Sequence, residues 1–271
     1  MPRPHFAVLA ALALSGCAML ANLGTGSGTD IRVASYNIRH GRGMDNRVAL
    51  ERTAAVLRGI GADVVGLQEV DRNVERSGRV DEAAILGELL GMDHAFGAFM
   101  EYQGGRYGMA ILSEYPILSS REIPLPTGEE PRIALAVRIA LPSGDTITAV
   151  NVHFDWIEND AARVRQARTL SMVLDTLSDP WLLIGDFNDG PDSRTLRVFD
   201  DLVHPASKPA DSTFTFPSNG PVKEIDYIFA QRSPSWRVGT VHVVPDSVAS
   251  DHRPVRTTVR HVPADPGRPR T

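Results

Sequence analysis

Apolar and polar positions along this chain alternate between two periods. Ile31 to Asn37 (IRVASYN) has the two-residue repeat of a half-buried strand. From Arg47 to Ile60 the residues Val48, Ala49, Arg52, Ala55, Val56 and Gly59 trace a helical stripe instead, and Gly61 can end that helix. Asp63 to Leu67 predicts a buried strand finishing in Gln68 and Glu69, and a polar loop then precedes a helix from Asp81, its expected cap, to Leu90. Five short strands follow, over His94–Glu101, Arg106–Leu112, Ile117–Ile123, Ile133–Leu141 and Thr146–Val152, separated by turn signals such as Gln103-Gly104-Gly105 and Pro142-Ser143-Gly144-Asp145. The longest helical pattern, Asn159 to Leu177, leads into Trp181-Leu182-Leu183-Ile184, an apolar run with the length of a strand covered on both faces. A short helix over Ser193–Phe199, a loop from His204 to Pro221 and strands over Lys223–Ala230, Trp236–Val244 and Pro254–His261 complete the pattern. Helices covering two stacked, mostly antiparallel sheets would satisfy it.

Polar residues collect where these strands end: Asn37, Glu69, Asn151 with His153, Asp186 with Asn188, Asp226, and Asp251 with His252. In WLLIGDFND the residues Asp186 and Asn188 are two apart, so both can address one site while Phe187 points into the core. An Asx-rich turn opening the next helix is the other reading of that stretch. Carboxylates without cysteine partners are hard oxygen ligands that suit Mg²⁺ or Mn²⁺, and Glu69 with Asp251 suffices for such an ion. The histidines and asparagines remain to hold phosphate oxygens and orient water, the division of labour that phosphoryl hydrolysis needs. Asp226, inside an otherwise apolar strand, calls for a partner; His252 would serve and would be drawn toward imidazolium.

Composition narrows the class. The 271 residues carry a formal charge of −5, and of 28 basic residues only Lys208 and Lys223 are lysines, so a broad basic face for long nucleic acid is not expected. The N-terminus reads as an export signal over 1–16: Arg3, the apolar run Phe6–Leu14, then Ser15, Gly16 and Cys17. Leu14-Ser15-Gly16-Cys17 resembles the lipobox of bacterial lipoproteins, which makes Cys17 the expected lipidation site, 17–30 a flexible tether and the outer membrane facing the periplasm the expected location, with plain secretion as the alternative. A single cysteine forbids an intramolecular disulfide, so folding rests on the core of one domain over 31–262; the tail 263–271 is expected to be disordered.

In order along the chain, SYNIRHG, LQEV, YGMAILSEYPI, NVHFD, GDFND, IDYIF and SDHRPV resemble the motifs of the endonuclease/exonuclease/phosphatase superfamily. The resemblance implies a four-layer αββα sandwich with its site at one edge of the two sheets. It implies Glu69 as principal metal ligand, assisted by Asn37 and Asp251, Asp186 to align or deprotonate the attacking water, and Asn188 to orient water and phosphate. His252 supported by Asp226 would stabilise the transition state, His153 would be a second phosphate-contacting or acid histidine, and Arg132 and Asn151 would contact phosphate. Nucleic acid, phospholipid and sugar phosphate all remain open as substrates, and a monomer is expected. The rival reading is a non-catalytic envelope lipoprotein that binds a phosphorylated ligand or a partner protein.

Overall fold

The computed structural model describes residues 28–204, 208–209 and 213–263. The expected signal, Cys17 and the expected tail from residue 264 onward lie outside the described residues. The first sheet has seven strands, ordered β10-β12-β1-β2-β4-β3 with β11 also on β12. They are β1 Thr29–Asn37, β2 Val64–Arg72, β3 Asp93–Tyr102, β4 Gly105–Ser113, β10 Trp236–Val238, β11 His242–Val243 and β12 Val255–His261. The second sheet has five, β5 Ile117–Leu125, β6 Arg132–Ala140, β7 Thr146–His153, β8 Trp181–Asp186 and β9 Asp226–Ala230, in that order. Each sheet contains one parallel pair, β1 with β2 and β7 with β8, and a helix makes each crossover: α1 Leu50–Ile60 and α3 Ala161–Leu174. Helix α2 Glu82–Leu90 and the single turn α4 Arg194–Arg197 complete the set, and no helix among the described residues is long and apolar enough to cross a membrane.

Strand parity builds the layers. In β8, Leu182 and Ile184 face the other sheet while Trp181 and Leu183 face the cluster around α3, which is why the run is apolar at every position. In β1, Ile31 and Val33 enter the space between the sheets, and Ala34 and Tyr36 pack under α1 and α2. Three apolar clusters thus separate four layers, the expected αββα sandwich. Asp81 caps α2 by accepting from the Ala84 N–H at 3.1 Å, and Gly61 ends α1 at φ 62.

Several expected boundaries move: β2 runs past Glu69 to Arg72, and the strand expected from Lys223 begins at Asp226. The tether loses Thr29 and Asp30 to β1, because His261 and Arg260 of β12 extend the backbone pairing that far. The strand expected over Trp236–Val244 divides into β10 and β11: the pairs Val238–Val259 and His242–Arg256 leave one extra residue on this side, and the chain bulges around Gly239 and Thr240.

Candidate active site

Parity also decides where the polar residues go. Asn37 shares the inter-sheet face of β1 with Ile31, Val33 and Ser35; Asp186 continues Leu182 and Ile184, and Asp226 precedes Ile228 and Ala230 on the same face. Strands β7 and β8 end together, with His153 in register with Asp186, and antiparallel β9 begins opposite them, with Asp226 in register with Asp186. In the other sheet β1 ends at Asn37, in register with Gln68, and β2 runs on through Glu69 to Arg72; antiparallel β12 starts beside the end of β1, and the turn before it carries Asp251 and His252. The apolar layer between the sheets therefore stops at one edge in a row of carboxylates, amides and imidazoles.

Asp186 is the centre of that row. Its Oδ1 accepts the Asn188 N–H at 2.9 Å, while Oδ2 accepts from Asn37 Nδ2 at 3.1 Å and lies 3.6 Å from the Nε2 atoms of both His153 and His252. Burial, with Asp226 adding to it, outweighs the pull of His252 and raises the Asp186 carboxyl to about 7. His252 Nδ1 is 3.0 Å from Asp226 Oδ2. Burial alone would lower His252, but Asp226 and Asp186 outweigh it and raise the imidazole to about 10. His153 is shifted the other way, well below the usual histidine value, by burial and then by Arg132 and His252. Arg132 Nη1 stands 3.5 Å from His153 Nδ1, and a guanidinium has only donors, so Nδ1 is the acceptor and Nε2 carries the proton. One imidazole is thus held charged and the other neutral.

Glu69 sits at a bulge in β2 with φ +56, a left-handed conformation that costs a non-glycine residue about 1–3 kcal/mol and that interrupts the strand's side-chain alternation. Asn37 Nδ2 donates to Glu69 Oε1 at 3.0 Å as well as to Asp186, so one amide joins the two sheets. Glu69 and Asp251 offer carboxylate oxygens that fit a Mg²⁺- or Mn²⁺-type ion, while the Asn37 amide turns Nδ2 toward Glu69 and its Oδ1 accepts the Arg39 N–H at 3.1 Å. Asp186, Asp226 and His252 also bring ligand-type atoms within 4.8 Å of one another. His252 Nδ1 is already paired with Asp226 Oδ2 at 3.0 Å, which joins the trio as a hydrogen-bonded relay.

Residues 34–252 match the model of the endonuclease/exonuclease/phosphatase family. The chain belongs to that family. The uncharacterized protein YbhP of Escherichia coli K12 is 29% identical over 247 residues, covering 84% of this chain and 95% of YbhP. An endonuclease/exonuclease/phosphatase from Beutenbergia cavernae has the same fold, with TM-score 0.68, 24% identity and coverage of 87% of this chain and 72% of that one. The mannosyl-6-phosphatase Bt3783 of Bacteroides thetaiotaomicron does too, with TM-score 0.65, 22% identity and coverage of 84% and 99%.

In this family member the edge brings together Asn37, Glu69, His153, Asp186, Asn188, Asp226, Asp251 and His252. Asn151 is a correction. It is wholly buried; its Nδ2 donates to the carbonyls of Leu67 at 2.8 Å and Ala110 at 2.9 Å, and its Oδ1 accepts from Gln68 Nε2 at 2.7 Å. Every polar atom of that amide bridges the sheets, leaving none for phosphate. Arg132 reaches the site behind His153, paired with Glu130 at 3.0 Å and lying over the Phe99 ring at 4.7 Å, its side chain 1% exposed.

Two supports complete the site. Ser250 Oγ donates to the Asn37 carbonyl at 2.7 Å and accepts the His252 N–H at 3.4 Å, which makes the turn that points Asp251 and His252 into one place. Arg39 Nε lies 3.4 Å from Asp251 Oδ2, brought back by consecutive left-handed residues Arg39, His40 and Gly41. Adjacent residues in SDH already require that turn, and Arg39, in the loop beside Asn37, fits a solvated loop and a contact with an anionic substrate equally well in sequence; the structure sets it against Asp251. Asp189 is a structural neighbour, accepting from Arg163 Nε at 3.2 Å and Thr195 Oγ1 at 2.7 Å.

Proposed function

We propose that this protein is a divalent-metal-dependent phosphoesterase that hydrolyses phosphodiester or phosphomonoester bonds by direct attack of an activated water. The observation that carries the reading is the Asp186 carboxylate, set between a neutral and a charged imidazole and raised toward neutral pH, where a general base is most effective. The water oxygen bonds to phosphorus as its proton passes to Asp186, the phosphorus–oxygen ester bond breaks, and the departing oxygen takes a proton from solvent and leaves as the alcohol. Asn188 orients the water. Imidazolium His252, held by Asp226, stabilises negative charge on the phosphoryl oxygens, and the Nε2–H of His153 donates to them. Glu69, Asp251 and Asn37 would hold Mg²⁺ or Mn²⁺, which supplies Lewis-acid neutralisation of phosphate charge when bound. Asp186→Asn preserves size and removes the base, so turnover of a generic phosphodiester and its phosphomonoester should fall by about 10²–10⁴-fold with an unchanged circular dichroism spectrum. Full activity in that variant overturns the assignment.

The export signal and Cys17 belong to the same reading, as a lipid anchor placing the domain at the bacterial envelope. Mass spectrometry of membrane-extracted protein should find a diacylated Cys17 as first residue, and an unmodified Cys17 there removes the anchor.

A further inference from the structure

Eight large hydrophobic side chains are well exposed among the described residues, and three of them, Trp156, Phe214 and Val222, line a single groove of about 460 Å³. Scattered apolar residues at a surface need no explanation, but three converging on one concavity do. The groove adjoins the site already described, because Asn188 forms part of its wall. Its sides are continuations of strands that carry the chemistry: Trp156 lies three residues beyond His153 at the end of β7, and Phe214 and Val222 lie on the segment that runs into Asp226 and β9.

The rim is charged in both senses. Glu158, Lys223 and Glu224 border the groove, as does the pair Arg163–Asp189 at 3.2 Å. An acyl chain laid there would strip water from these charges without replacing it. A flat heterocycle would not: its faces meet the exposed indole and phenyl rings, and its edge donors and acceptors reach groups of either charge. We propose that the groove binds the base of a nucleotide-type substrate whose phosphate lies at Asp186, Asn188 and His252. The placing of the phosphate rests on the phosphoesterase reading; the recognition of the ring does not.

The molecule carries its own reporter for this. Trp181 and Trp236 are each 1% exposed and Trp156 is 58% exposed, so a ligand in the groove perturbs the emission of one tryptophan. Full-length protein carrying Asp186→Asn, to prevent turnover, is titrated with adenosine 5′-monophosphate and with ribose 5-phosphate. The expected result is quenching by the nucleotide, about tenfold tighter binding than of the sugar phosphate, and a collapse of that ratio toward one in Phe214→Ala. Val222→Glu, at a 66% exposed position, is the second variant and should lower the ratio in the same direction. A ratio near one in the parent, a ratio unmoved by both variants, or tighter binding of a short-chain phosphatidic acid below its micellar concentration overturns the proposal. If the nucleotide preference holds but wild-type protein turns over no phosphate ester with any divalent ion, the groove stands and the hydrolase reading falls. Turnover without the preference has the opposite meaning.

Discussion

Glu82 is wholly buried at the start of α2; one oxygen accepts the Asp71 N–H at 2.8 Å and the other has no partner. Burial holds this carboxyl well above the usual glutamate range. A carboxyl whose folded pKa is raised contributes its full stability below the unfolded value, near 4.5, and loses it as the pH climbs toward the folded value. Glu82→Gln should therefore raise Tm at pH 8, on the scale of about 1–3 kcal/mol for a buried unsatisfied group, and the advantage should shrink toward pH 4.5 in thermal melts across that range. At this scale the sequence was informative where chemistry coincides with a strand end. Asn151 shows the limit of that signal: a polar residue near a strand end looks the same whether it faces the open edge or, two residues earlier, the opposite sheet. Only inter-sheet packing decides between the two, and Asn151 meets Gln68 and the Leu67 and Ala110 carbonyls there.

The elements that carry the site are fixed from behind by aromatic rings. Phe154 follows His153, Phe187 separates Asp186 from Asn188, and Tyr227 follows Asp226. Phe187 meets Phe154 edge-on at 5.2 Å, Tyr227 at 5.3 Å and Phe229 at 5.6 Å, and all of these rings lie in the cluster between the second sheet and α3. Alternation thus couples each reacting group to a packed neighbour on the other face. Phe187→Ala should cost about 3–5 kcal/mol in urea unfolding. It should also lower kcat at temperatures where the protein remains folded, because Asp186 and Asn188 lose the ring between them. Phe187 as a core residue was legible from the two-residue period. Its partners were not, since nothing local to NVHFD or IDYIF states that the two segments meet. Element type followed from apolar period almost throughout, but the stripe read for α1 is not its packed face, since Leu50, Thr53, Ala54, Leu57 and Ile60 are buried while Ala55 and Gly59 are exposed; other errors lie at ends, where backbone pairing drew Thr29 into β1 and a bulge divided β10 from β11.

At the scale of the whole molecule the site is shared: β1, β2 and the turn before β12 supply one half, β7, β8 and β9 the other, and Asn37 spans both at 3.0 and 3.1 Å. An ion held by Glu69 and Asp251 would bind the folded chain alone, so Mg²⁺ at a hundred times its Kd should stabilise it by about 2.7 kcal/mol. The corresponding rise in Tm, roughly 5–10 °C, should be absent in Glu69→Gln, and an equal rise in both proteins would place the ion elsewhere. The four-layer order was legible once seven motifs pointed to one family, while the register of the two sheets was not, since it depends on residues from 41 to 149 positions apart, such as Asn151 with Ala110 and Asn37 with Asp186. The same remoteness has a consequence in time. Among the described strands β1 is the first to be synthesised and β12 the last, yet they lie side by side from Thr29–His261 to Ser35–Val255, and Ser250 closes onto Asn37. A nascent chain halted before Asp251 has an unzipped edge in the middle of its first sheet and lacks Asp251 and His252. The final strand acts as the closing stitch of the molecule, and a ribosome-bound chain stays without a finished site until that stitch is made.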